Sequence, residues 1–321
     1  MISRRSALIG ATLLASVAPA LANDYPVKPV TILVPFAAGG GQDILMRLIA
    51  PNVSAALKQQ LVIDNRVGGA GNIAAAAVSR AAPDGYTLLL GTAATHGMNQ
   101  ALYKSLGFDA VNSFEPVAML AEVPLVLVVN SAVPAKNVAE LVAYLKANPG
   151  KYNYGSSGAG GPLHLAGEIF KTAAGFDVAH VPFRGSAPAI TELLAGRLTF
   201  MFDTFAATNP HVQEGTLRRL AVASPTRAAN APDLPTMAES GVPVDAYSWS
   251  AIFAPAGTPK PIVEQLRKIF SDAIGDPALR PKLFEIGFLP AQGGPDQLRA
   301  HVQSEIRKWK TAAEGAGLTA Q

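Results

Sequence analysis

Short runs of apolar and β-branched residues alternate along the chain with longer stretches in which apolar positions return every three to four residues. That alternation builds parallel sheets through crossover helices. In the first third it predicts strands at Val30–Val34, Leu61–Asp64 and Tyr86–Leu90, with helices between them at Gln42–Leu57 and Asn72–Arg80. Ile44, Leu45, Leu48 and Ile49 share one face of the first helix, the period of a helix packed on a sheet, while Arg47 and then Lys58 mark its open side. A second series follows: strand Leu125–Val129, helix Val138–Ala147 stopped by Asn148-Pro149-Gly150, strand Tyr152–Tyr154, helix Leu163–Ala173, strand Ala179–Pro182, helix Ala187–Ala195, and strands Thr199–Phe202 and Leu220–Ala223. Thr226 to Pro243 reads as loop, with Pro232, Pro235, Gly241 and Pro243. Tyr247–Ala254 is strand-like. The rest is helical, at Lys260–Ile274, Pro277–Glu285 and Pro295–Ala313, the last with Leu298, Val302, Ile306 and Trp309 on one face.

Two βα series followed by helices with no strands between them describe an α/β fold of two lobes, each a mainly parallel sheet flanked by helices. One lobe takes residues 23–121 plus 247–321, the other 122–246. The chain then crosses between lobes near Glu122–Pro124 and again near Val244–Ser248, which makes a hinge. Ligands in such sheets bind in the crevice at the carboxyl ends of the strands. No repeat of fixed period interrupts this pattern.

The N-terminus sets the compartment. Arg4 and Arg5 precede an apolar stretch, Ala7 to Ala18, and Ala20-Leu21-Ala22 supplies a small-x-small cleavage site. This predicts a signal peptide over residues 1–22, cleaved near Ala22, and a periplasmic protein. Ser3-Arg4-Arg5 followed by Leu8 leaves twin-arginine and ordinary export both open. The apolar stretch is shorter than the ~20 residues of a membrane-spanning helix. There is no cysteine, hence no disulfide, no thiolate metal site and no thiol to carry a lipid.

Losing Arg4 and Arg5 lowers the formal charge from +3 to about +1, which argues against nucleic acid as a partner. A hydrophobic content of 49% against 15% charged residues implies extensive burial, as in sheets covered on both faces. The mature chain is long enough for two domains of ordinary size.

Candidate chemistry gathers where strands pass into helices. Phe36-Ala37-Ala38-Gly39-Gly40-Gly41-Gln42-Asp43 offers backbone N–H groups at a helix start, an anion site; a turn capped by Asp43 is the alternative. Gly155-Ser156-Ser157-Gly158-Ala159-Gly160-Gly161-Pro162 repeats the arrangement, with hydroxyls on Ser156 and Ser157 and with His164 in the first helical turn. Two such loops, one per lobe, form a carboxylate clamp.

Asp203 ends an apolar strand, as a ligand contact or a helix cap. Arg184 also follows a strand, as a fork for a carboxylate or one half of a surface ion pair. Thr92 closes the third strand. Phe36 and Trp249 are either pocket walls or core.

Enzyme readings find less support. Gly69-Ala70-Gly71-Asn72-Ile73-Ala74 fits a dinucleotide fingerprint, but the next strand ends Leu90-Gly91-Thr92 without the acid that holds ribose, so no cofactor is expected. Gly155-Ser156-Ser157-Gly158-Ala159 misses the hydrolase elbow at its last position, leaving a Ser157–His164 triad as the alternative chemistry. The five histidines show no metal-site spacing.

The sequence resembles the Bug family, the substrate-binding receptors of tripartite tricarboxylate transporters, over almost the whole mature chain. The resemblance is carried by Tyr25-Pro26-Val27-Lys28-Pro29, Val34-Pro35-Phe36-Ala37-Ala38-Gly39-Gly40, Asp64-Asn65-Arg66-Val67-Gly68-Gly69-Ala70-Gly71-Asn72 and Pro83-Asp84-Gly85-Tyr86-Thr87-Leu88. Gly155-Ser156-Ser157-Gly158, His180-Val181-Pro182-Phe183-Arg184-Gly185, Asp233-Leu234-Pro235-Thr236 and Ala254-Pro255-Ala256-Gly257-Thr258-Pro259 add to it. It implies a two-lobed periplasmic binding fold of type II and a carboxylate held by backbone amides and bridging waters of the glycine-rich loops. It also implies a partner in the integral membrane subunits, a monomer, and no catalysis.

Gln42 stands where the family usually has threonine, Arg184 where lysine is common, and Gly161-Pro162 where serines are frequent, so the identity of the carboxylate does not carry over. Presentation of the ligand to a membrane kinase, rather than a transporter, is the sensory alternative.

Overall fold

The computed structural model describes residues 25–36, 38, 39, 41–183 and 186–315. The expected leader and the candidate residues Ala37, Gly40 and Arg184 lie outside the described residues.

The first sheet is built from β1 (Val30–Val34), β2 (Leu61–Asn65), β3 (Thr87–Thr92), β4 (Phe114–Val123), β10 (Ser248–Pro255) and β11 (Leu289–Pro290), in the order β11-β4-β10-β3-β1-β2. The second holds β5 (Leu125–Asn130), β6 (Asn153–Ser156), β7 (Ala179–Pro182), β8 (Phe200–Thr204) and β9 (Leu217–Val222), in the order β7-β6-β8-β5-β9. Helices α1 (Gly41–Leu57), α2 (Asn72–Ser79) and α3 (Asn99–Leu102) follow β1, β2 and β3. Helices α4 (Val138–Lys146), α5 (Pro162–Ala174), α6 (Ser186–Leu194) and α7 (Phe205–Gln213) follow β5, β6, β7 and β8. Helices α8 (Lys260–Gly275), α9 (Arg280–Glu285) and α10 (Pro295–Gly315) close the described chain.

Strand directions explain where the crevice falls. β1 pairs parallel with β2 and β3, while β10 is antiparallel to both β3 and β4. β6 pairs parallel with β7 and β8, while β5 is antiparallel to both β8 and β9. Apart from the short β11, the one reversed strand in each sheet is the strand that arrives from the other lobe. Only Pro124 separates the end of β4 from the start of β5. A strand that starts where its predecessor stops must run away from that point, so the remaining strands point their carboxyl ends at the gap between the sheets.

Burial on both faces accounts for the continuous apolar runs. Ile32, Leu88, Leu90 and Ile252 pack with Leu45, Ile49 and Val53 of α1 and with Leu266 and Phe270 of α8. On the opposite face, Leu33, Leu89 and Phe253 join Val78 of α2 and Val302 and Trp309 of α10.

The sequence expectation misses β4, α7 and the short α3 and β11, and it misplaces Ile44. β4, which carries Pro116, has no counterpart in the sequence reading; Pro116 pairs with Phe253 at a register shift, and β11 meets only Ala121 and Glu122 on the other edge. A proline is tolerated where the ladder asks nothing of its missing N–H. Helix α7, with Pro210 inside it, has too weak an apolar period to be read from sequence. Ile44 leaves the buried face assigned to it: Leu45, Met46, Ile49 and Val53 face the sheet, whereas Ile44 is 41% exposed.

Candidate functional site

A cavity of about 860 Å3 opens between the carboxyl edges of the two sheets. From the first lobe it is lined by Phe36, Gln42, Ile44 and Thr92, by Met98 and Leu102 after β3, and by Ile286 and Phe288 after α9. From the second it is lined by the loop Ser157–Gly161, by Leu163 and His164, by Ser186, and by Asp203, Thr204, Ala206 and Ala207. The N-termini of α1, α5, α6 and α7 therefore all reach it. The first amides of a helix have no acceptor within the helix, and the dipole adds partial positive charge there, so such ends attract anions.

The two glycine-rich loops do different things. In the first, Asp43 is buried and turns back: its Oδ2 accepts from the Gly39 amide at 2.8 Å and from Arg47 Nε at 2.8 Å. The Arg47 hydrogen bond holds the carboxyl below the usual carboxylate range. Asp43 thus caps the turn rather than lining the cavity, and Ala38 and Gly39 lie exposed outside it.

The second loop is held from beneath. Gly158 and Gly160 adopt φ of 147° and 76°, which a side chain would strain. The Gly160 amide donates to His164 Nδ1 at 2.9 Å, which keeps that nitrogen an acceptor, and burial lowers the imidazole's pKa. His164 stacks on His180 at 3.8 Å, and His180 Nε2 sits 2.7 Å from Ser156 Oγ. Ser156 is fully buried and bonds to both the amide and the carbonyl of Gly158, so it shapes the loop from outside the cavity. Among the described residues no hydrogen bond joins Ser157 to His164, and the nitrogen a triad would need is already occupied.

Asp203 lines the cavity from the end of β8. Its carboxylate accepts from Ser186 Oγ at the start of α6 and from the Thr204 amide at 2.7 Å. Thr204, not Asp203, caps α7, through a hydrogen bond from the Ala207 amide at 3.3 Å. Burial pushes the Asp203 carboxyl up to about 6.

An acid raised in the folded state contributes stability that is complete below its ordinary pKa and is lost as pH climbs through the raised one. Relative to Asp203→Asn, the wild type is expected to lose about 2 kcal/mol between about pH 4 and about pH 8. Urea midpoints of both proteins at both pH values measure this. Parallel profiles would mean that Asp203 ionises as readily folded as unfolded.

Thr92 and Gln42 are among the polar residues that line the cavity from the first lobe. Thr92 is 2% exposed, and its hydroxyl is buried in the wall with no hydrogen-bond partner among the described residues. Gln42 Oε1 accepts from the buried Ser250 hydroxyl at 2.7 Å, which fixes the amide at the cavity wall. Ser186, Ser250 and the apolar wall of Ile44, Ile286 and Phe288 went unread in the sequence, since a lone serine or isoleucine carries no spacing signal.

Trp249 requires a correction. It is fully buried and is no cavity wall, because its indole N–H donates to Glu305 Oε2 at 2.9 Å inside the first lobe.

The family model described as the tripartite tricarboxylate transporter family receptor matches residues 45–318. The chain belongs to that family. The receptor is 34% identical over 302 residues to protein BugT of Bordetella pertussis, covering 94% of this chain and 93% of the relative. Rpa4515 of R. palustris, solved with adipate, superposes with a TM-score of 0.83 at 39% identity, covering 93% of the receptor and all of that chain. The periplasmic binding protein BugD gives a TM-score of 0.79 at 34% identity, covering 92% of the receptor and 100% of that chain. The receptor thus shares the two-lobed fold of periplasmic solute-binding proteins. Among the described residues no group of acidic or histidine side chains is placed to hold a metal ion.

Proposed function

We propose that this chain is an exported receptor that captures a small organic carboxylate between its lobes and delivers it to the integral membrane subunits of a tripartite tricarboxylate-type transporter. The observation that carries the reading is the convergence of helix N-termini from both lobes on one cavity. The adipate in Rpa4515, a relative of the same fold, supports a carboxylate as the solute.

In this reading residues 1–22 are the leader, residues 23–121 with 247–321 form one lobe, and residues 122–246 form the other. The protein acts as a monomer and performs no chemistry on what it holds. Ser157, Gly158, Gly160, Thr92 and Gln42 contact the solute, while Asp43, Ser156 and His164 hold the loops that do so. The solute touches both lobes and therefore favours the closed state by its differential contacts.

Purified protein should show a raised melting temperature with at least one member of a broad carboxylate panel. Mass spectrometry of the denatured protein should release a carried-over acid. A flat panel together with an empty extract would defeat the reading.

A further inference from the structure

We propose that Gly287 is the stop that sets how far the two lobes close, and that its lack of a side chain lets both lobes reach the solute at once. This rests on the carboxylate-receptor reading above and names a positioning residue that governs affinity without touching the solute. Gly287 lies in the turn between α9 and β11 of the first lobe. Its neighbours Ile286 and Phe288 line the cavity, whereas Gly287 faces the start of α7 in the second lobe. A Cβ there would come within 3.2 Å of the Ala206 nitrogen and 3.6 Å of the Cβ atoms of Ala206 and Phe205. Leu289, on the same segment, packs against the apolar cluster of the second lobe that contains Phe205.

Both sides of this contact are fixed within their own lobes. The Gly287 amide donates to the Phe284 carbonyl at 3.0 Å and the Phe288 amide to the Leu283 carbonyl at 2.8 Å, and β11 pairs with Ala121 and Glu122 of β4. On the other side, the first turn of α7 is capped by Thr204, and Phe205 is buried. An added carbon therefore meets backbone that cannot turn aside, and the joint that gives is the hinge.

The position magnifies the effect. Leu289 pairs with Glu122 and Thr204 with Leu125, so both sides of the contact lie close to the first crossing between the lobes. Ile286, Phe288 and Ala206 all line the cavity, so the contact is on the cavity side of the hinge and tightens as the gap closes. A spacer set beside a hinge opens the rest of the gap by more than its own width. Across that gap Leu102 Cδ1 lies 3.3 Å from where a Cβ on Gly160 would stand, so the solute-binding loop of the second lobe also touches the first in this state.

Gly287 also ends α9 with φ of 78°, which by itself favours glycine. Gly196 separates the two demands. It ends α6 with φ of 72° and donates its amide to the Leu193 carbonyl at 3.0 Å, but nothing lies within 4 Å of its added carbon. Leucine at either position carries the same left-handed strain, and only at 287 does it meet the other lobe.

The full-length chain expressed and exported by its host, stripped by unfolding and refolding, would be titrated calorimetrically with adipate, malate, hexanoate and phenylacetate. Gly287→Leu is expected to weaken the tightest-binding of these acids about tenfold or more, with Gly287→Ala between it and the wild type and Gly196→Leu within about twofold of the wild type. The melting temperatures of the two solute-free leucine variants should fall together. In small-angle scattering with that acid at saturation, the wild type and Gly196→Leu should contract, while Gly287→Leu keeps its solute-free radius of gyration.

Wild-type affinity and contraction in both Gly287 variants would overturn the proposal while leaving a carboxylate receptor standing. Affinity lost with contraction kept would overturn it too, since the side chain would then act on the cavity rather than on the hinge. Failure of the wild type to bind all four acids and the wider panel would instead remove the receptor reading on which the proposal rests.

Discussion

Glu305→Ala is expected to destabilise the protein by about 3–5 kcal/mol and to shift its tryptophan emission to the red. Glu305 lies on α10, 3% exposed, and its Oε2 accepts from Trp249 Nε1 at 2.9 Å and from Trp309 Nε1 at 3.0 Å. Its Oε1 lies 2.5 Å from Lys308 Nζ. Alanine leaves two buried indole N–H groups without acceptors, each at a cost of about 1–3 kcal/mol, and it removes the partner of the lysine. The chain has only these two tryptophans, so fluorescence reports on this one carboxylate. Urea unfolding followed by circular dichroism gives the stability. Glu305→Gln keeps an acceptor and should lose about half as much or less. A loss below about 1 kcal/mol for alanine would mean that the α10 contact to β10 rests on packing alone.

Gly167→Val is expected to cost about 4 kcal/mol, against about 1 kcal/mol or less for Gly294→Val, which only replaces the glycine that caps α10. Gly167 lies within α5, and a Cβ there would come within 2.1 Å of Tyr154 Cε2 and 2.6 Å of Tyr154 Cζ. The tyrosine cannot yield. It is fully buried, stacks on Phe200 at 5.3 Å, and donates its hydroxyl to Glu168 Oε1 at 2.6 Å. The helix must therefore ride outward and carry the Ser157–Gly161 loop with it, so solute affinity should fall along with stability. At Gly294 nothing lies within 4 Å of the added carbon, which makes it the control for a β-branched residue in open space. Equal melting temperatures for the two variants would show that α5 shifts freely on its sheet.

Much of the fold is legible in the sequence because buried strands and amphipathic helices write their periods directly. Val30–Val34 and the helix after it are read almost to the residue. β4 hides behind Pro116, which is harmless only because of where the ladder slips, and that is a property of its partner strand rather than of its own residues. At the site the two glycine-rich loops look alike as strings. They differ in what their acids and histidines do: Asp43 folds onto its own turn, whereas His164 props the second loop from below. A carboxylate such as Glu305, set between Val302 and Trp309 on an apolar face, is the signal that places Trp249 in the core. It goes unnoticed when the tryptophan is judged alone.

The order of strands in the first sheet also governs assembly. β3 and β4 are joined only through β10, whose residues come after the entire second sheet in the chain. As the polypeptide emerges, the second sheet can complete every one of its pairings once Val222 is available, while the first waits as two fragments with bare edges open to wrong partners. The lobe that begins the chain is therefore the last to be finished.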